Sequence, residues 1–148
     1  MYNDTITLFN RAKGQDGDIW YPTILRNVNL NMDKGSVIDT YGANATDNVV
    51  LNVRCIMDGD EGSLLDGTLL LSPIKWQRSS DKALAITFTP GNAHDFFWVG
   101  EWDGGMAYDS NYGDMSFYDY MLANYDFVYA VTGTSYFSVI PHIQVTGR

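Results

Sequence analysis

The sequence predicts an all-β fold, a mainly antiparallel β-barrel or sandwich, with one short helix near residues 115–124 and a long Gly/Asp-rich loop. Three observations predict it. Apolar and polar residues alternate with period two in several short runs, as they do along half-buried strands. Gly, Asp, Asn and Pro separate these runs at short, regular spacing. Ten Tyr, seven Phe and four Trp supply the bulky side chains that suit a pleated surface. A chain of 148 residues is one domain by length, residues 1–148, with a loop and helix excursion over about 91–124. At that size folding buries roughly 68–70% of the unfolded surface, enough for a core without covalent staples.

The elements follow in order. Asp4-Thr-Ile-Thr-Leu-Phe9 alternates, with Ile6 and Leu8 on one face and Thr5, Thr7 and Phe9 on the other. After the polar turn Lys13–Asp18, Ile19–Leu25 is extended, and Pro22 marks a break or an edge because it has no N–H to donate. Asn27–Met32 alternates most plainly: Val28, Leu30 and Met32 face inward and three Asn face water. Asp33-Lys34-Gly35 turns the chain into a strand candidate, Ser36–Tyr41, followed by the small polar loop Gly42–Asn48. Val49–Met57 reads as a long buried strand, ended by the acidic turn Asp58–Gly62. Leu64–Leu71 is apolar around Asp66-Gly67, a tight hairpin signal.

Pro73-Ile-Lys-Trp76 leaves the sheet, and Gln77–Lys82 is a solvated loop. Ala83–Phe88 is a strand stopped by Thr89-Pro90-Gly91, and Asp95–Val99 follows. Gly100–Gly113 shows no periodicity and reads as a mobile excursion; long loops in compact domains often carry function. Phe117, Met121 and Leu122 give residues 115–124 one short apolar helical face, with Asp114 placed to cap its start. Tyr125–Val131 puts Phe127, Tyr129 and Val131 on one face. The Thr132-Gly-Thr-Ser135 connection then predicts a hairpin back through Tyr136–Val145, with Pro141 at a bulge or edge.

The formal charge of −9 argues against a basic nucleic-acid groove and favours solubility. The single cysteine, Cys55, rules out an internal disulfide and reads as a small buried hydrophobe. The opening residues lack the basic and apolar regions of a secretion signal, and no apolar run reaches about 18 residues, so assembly in the cytoplasm with no membrane partner is expected.

No catalytic constellation emerges, and no cofactor or metal is expected. Counted from Asp58, the twelfth position of a calcium loop is Leu69 rather than an acid. His94, Asp95, Glu101 and Asp103 raise a metal or acid/base reading, and Trp98 and Trp102 a sugar-stacking one. Loop carboxylates with satisfied partners and aromatic core or interface anchors are the plainer readings. The chain carries neither a phosphate-binding P-loop nor a G-x-S-x-G nucleophile elbow.

Asp4–Asn10 followed by Trp20–Val28 resembles the opening of small tailed-phage and prophage proteins encoded among head–tail genes. The closing runs Asp126–Thr132 and Val139–Arg148 are similar to the way that group ends, and Asp95–Trp102 with Phe117–Met121 looks like a phage family of the same neighbourhood. The resemblance implies a virion structural protein, a minor capsid or head-completion (stopper-like) connector at the head–tail neck. It implies a homo-oligomeric ring, a hexamer or dodecamer, below the portal. Portal or adaptor and tail proteins are the implied partners, and double-stranded DNA passes through without specific binding.

Under it, Glu101, Trp102, Asp103, Asp109 and Asp114 form a lumen or partner loop, and Trp20, Tyr21, Trp98 and Tyr136 form aromatic contacts between subunits. Another neck or tail-completion protein, a carbohydrate-binding β-sandwich using Trp98 and Trp102, and a small hydrolase using Asp95 and Glu101 stand as alternatives.

Overall fold

The computed structural model describes residues 1–32 and 49–148; the expected turn, strand and loop over 33–48 lie outside the described residues. Among the described residues ten strands occur: β1 (Asp4–Ala12), β2 (Ile19–Asn31), β3 (Val49–Asp58), β4 (Glu61–Leu64), β5 (Leu69–Leu71), β6 (Ala85–Ile86), β7 (Phe96–Trp98), β8 (Ala107–Tyr108), β9 (Val128–Phe137) and β10 (His142–Gly147). Also among the described residues are two short α-helices, α1 (Pro73–Arg78) and α2 (Phe117–Asn124).

Six strands close a barrel through antiparallel pairs in the cyclic order β1, β2, β3, β10, β9, β7 and back to β1. Closure depends on β2, which serves two neighbours in turn. Its register against β1 slips between Leu25 and Val28, where Asn27 takes φ +59°. This extra residue bends the strand, as a bulge does. Asn is among the few side chains that accept that conformation readily. Beyond the bend, Asn29–Asn31 pair with Val50–Asn52 of β3. Pro22 lies mid-strand opposite Phe9, on a stretch of β2 with no second partner strand among the described residues, so its missing N–H costs nothing.

Outside the barrel, β4 and β5 extend β3, and β6 adds a short parallel pair to β5. Both hairpin turns expected from Asp58–Gly62 and Asp66-Gly67 form, with Gly59 and Gly67 at positive φ. Ala83–Phe88 contributes only the two strand residues Ala85–Ile86, after a 3-10 turn over Lys82–Leu84.

The core is layered. Ile6, Leu8, Leu25, Leu51, Val53, Phe97, Val131 and Val145 fill the barrel. A second cluster, Phe9, Trp20, Phe96, Phe117, Met121 and Val128, packs on the outside of the wall beneath α2. β1 is therefore buried on both faces, and Thr7 is as enclosed as its neighbours. Each large apolar side chain so buried contributes roughly 1.5–3 kcal/mol.

Several local expectations are corrected. The hairpin turn does not fall at Thr132–Ser135. β9 continues through Phe137, with a register shift against β10 between Val131 and Gly133, and the chain turns at 138–141. Phe127 does not share a face with Tyr129 and Val131, because its φ of +61° puts it outside β9 and swings it into solvent. Met32 is exposed rather than inward.

Pro73–Trp76 leaves the sheet as helix α1, capped by Ser72 Oγ on Lys75 N, with Pro73 at the first helical position. Asp114 does not cap α2; Ser116 does, its Oγ accepting from Asp119 N at 3.0 Å. Ser116→Ala should therefore cost about 1 kcal/mol in urea denaturation, and Asp114→Ala should change little.

Candidate functional site

The stretch Gly100–Gly113 is a docked structure, which corrects the reading of it as a mobile excursion. Thr7 Oγ1, facing outward from β1, donates to Gly100 O at 2.8 Å and accepts from Trp102 N at 3.0 Å. β8 pairs with the start of β2, and a 3-10 turn follows over Asp109–Tyr112. The glycines have a packing purpose. A Cβ on Gly100 would stand 2.6 Å from the Trp98 ring, and one on Gly104 would stand 2.7 Å from the Trp102 ring. Backbone without side chains lets both indoles lie against it.

The expected loop residues divide by task. Asp109 is the anchor: Oδ1 accepts from Trp20 Nε1 and from Phe117 N, each at 2.8 Å, and Oδ2 accepts from Asp18 N at 3.3 Å. It holds the start of α2 against β2. Glu101 is exposed and ion-paired to Arg26 at 2.5 Å. Trp102 is half-buried and donates its indole N–H to Gly105 O. Asp103 and Asp114 stand exposed.

Of the four aromatics expected at subunit contacts, Trp20 is corrected outright. It is fully buried against Phe96, because Asp109 satisfies its one donor inside the fold. Tyr21 is half-buried, edge-on to Trp76. Trp98 meets Trp102 at 89° and Tyr125 at 68°, so these indoles interlock instead of presenting a flat sugar platform. Tyr136 is exposed, its hydroxyl accepting from Met57 N.

Tyr136 opens the feature that sequence reasoning passed over. The β9–β10 turn carries Val139 at 93% and Ile140 at 75% exposure, beside exposed Phe137. Pro141 O accepts from Cys55 N, which brings this tip next to exposed Ile56 on β3. Turns are normally polar. An apolar Val139-Ile140 pair in a turn is the available signal, hidden because the Gly/Thr/Ser signal at 132–135 points six residues too early.

Asp95 is the chain's unusual acid. It is fully buried, and its carboxylate accepts from Arg11 N at 2.8 Å, Thr89 N at 2.8 Å and Asn10 Nδ2 at 2.9 Å. Burial pushes its pKa up to about 7, against the pull of these donors. Glu101 is on the surface with Arg26, so the two acids of the hydrolase reading sit in different settings. Burial also raises the Cys55 thiol. Among the described residues, no three His, Cys, Asp or Glu gather to hold a metal ion, and no helix is long and apolar enough to cross a membrane.

A family model described as a family of unknown function (DUF6751) matches residues 1–148. No curated protein and no solved structure matches the chain.

Proposed function

We propose that this chain, which belongs to the DUF6751 family, is a structural subunit that works by assembly, as a ring-forming head–tail connector in the neck of a tailed-phage particle. The observation that carries the reading is the apolar tip of the β9–β10 hairpin. Val139 and Ile140 stand almost free of the fold, with Phe137 and Ile56 beside them. Apolar side chains grouped this way on a closed barrel mark a contact surface. The barrel supplies a rigid mount, and the hairpin supplies the projection that a neighbouring subunit or ring layer covers. The connector assignment itself comes from the resemblance of both chain ends to phage head–tail proteins. In this reading the ring lies below the portal and DNA passes through it.

The test is the oligomeric state of the purified chain by mass photometry, with negative-stain microscopy of its rings. Rings are expected from the wild type. Val139→Asp with Ile140→Asp should weaken association more than tenfold, since each buried aliphatic side chain contributes roughly 1.5–3 kcal/mol, while leaving the circular dichroism spectrum unchanged. A wild-type monomer that never copurifies with portal or tail parts would sink the proposal.

A further inference from the structure

The charges of this chain are segregated. Its net charge is −9, yet four of its nine Lys and Arg, namely Arg11, Lys13, Arg78 and Lys82, line one cleft of about 820 Å³. The fold brings them together from three places. Arg11 and Lys13 lie at the end of β1, Arg78 at the end of α1, and Lys82 at the turn after it. Gln77 Nε2 donates to Arg11 O at 2.6 Å and ties α1 to β1 across the floor.

Asp18 offsets one of these charges through its ion pair with Arg11. Lys82 donates to Ser79 O and lies over the Trp76 ring. The side chains of Lys13 and Arg78 make no hydrogen bond or ion pair among the described residues. Exposed Ile74 lines the same cleft.

The complement is on the other half of the chain. Residues 83–147 contain no Lys or Arg and seven carboxylates. Asp114, Asp119 and Asp126 border α2 before, within and after it; all three are exposed and none has an ion pair among the described residues. Exposed Met115, Leu122 and Phe127 alternate with them.

We infer that the Arg11/Lys13/Arg78/Lys82 cleft of one copy receives the acidic α2 segment, Asp114–Phe127, of a second copy. The inference rests on the assembly reading above and adds a second contact to it, distinct from the hairpin tip. Cleft and segment are two different surfaces of one subunit, which is what a head-to-tail contact requires and what builds a ring. Screening confines the decision to charges within about 8–10 Å, so local complementarity outweighs the shared net charge. A nucleic-acid backbone would match the cations but offers nothing to Ile74, whereas the α2 segment brings apolar side chains with its acids.

The experiment is sedimentation velocity on the full chain at about 50 and about 500 mM salt, a range over which exposed charge pairs are progressively screened. Arg78→Glu with Lys82→Glu reverses the cleft, and Asp114→Lys with Asp126→Lys reverses the segment. Each double variant alone should associate roughly tenfold or more weakly than wild type. An equimolar mixture should regain hetero-association, because reversed cleft then meets reversed segment; a merely misfolded variant would not recover on mixing. Wild-type association should weaken as salt rises. If both variants assemble like wild type, this contact is wrong while the hairpin-based assembly stands. If wild type stays monomeric at both salts, the assembly reading and this contact both fall. If wild type binds a short DNA duplex by fluorescence anisotropy and the cleft variant alone loses it, the occupant is nucleic acid and the inference fails.

Discussion

Asp95→Ala is expected to destabilise the protein by about 3–5 kcal/mol in chemical denaturation, because it strips the acceptor from three buried donors at once. Arg11 N, Thr89 N and Asn10 Nδ2 all converge on this carboxylate. Its backbone is equally engaged: Asp95 N donates to Thr89 O, and Val131 N donates to Asp95 O. One residue therefore joins β1, the 89–95 turn and β9. Asp95→Asn keeps the volume but turns an amide N–H toward at least one existing donor, so an intermediate loss is expected.

The pH dependence separates the acid from its shape. Burial raises the folded pKa to about 7, above the unfolded value near 4. The folded state thus holds the proton more tightly than the unfolded chain. The stability this gives is fully present below about pH 4 and is lost as pH rises to about 7, by roughly 4 kcal/mol at most. Thermal midpoints of wild type should fall across that window, and those of Asp95→Asn should lack this slope. Parallel profiles for the two proteins from pH 4 to 7 would reject the account.

What the residues made legible was local. Alternation points to β1, a long apolar run points to β3, and Gly or Asp-Gly pairs point to the β3–β4 and β4–β5 turns, because strand facing and turn geometry depend on near neighbours. Double burial of β1 was not legible. Thr7 looks solvent-facing in a half-buried strand, and only the arrival of Trp102 and Gly100, more than ninety residues away, encloses it. Helix α1 was legible in principle from Ser72-Pro73, a cap followed by a preferred first residue, but six residues are too short to show a period. The Gly-rich character of 100–113 does not reveal its docked structure, for a physical reason. Glycine serves mobility and close ring-on-backbone packing alike, and composition does not say which. The cationic cleft joins residues up to about seventy positions apart, so no motif announces it.

The second large effect is expected at Asp109, where Ala should cost about 2–4 kcal/mol through the loss of acceptors for Trp20 Nε1 and Phe117 N. Both donors lie in the aromatic layer outside the barrel, where Trp20, Phe96 and Phe117 pack together. Freed of Asp109, the indole N–H of a fully buried Trp20 has no replacement from water without opening that layer. Asp109→Asn separates charge from geometry: its carbonyl oxygen can still accept from both donors, and only the longer bond from Asp18 N is lost, so about 1 kcal/mol is expected.

Hydrogen exchange locates the change. Amides of β8 and of the first turn of α2 should lose protection in Asp109→Ala, while those of β3 and β10 keep theirs, since opening is local. Asp103→Ala and Asp114→Ala, both exposed, should stay within about 0.5 kcal/mol of wild type. A variant at Asp109 as mild as these two would mean the loop is held by ring packing alone. The expected asymmetry bears on assembly directly. In the proposed contact, a segment pinned before its partner arrives would present its acids with no ordering cost, so weakening the pin should slow and weaken that association.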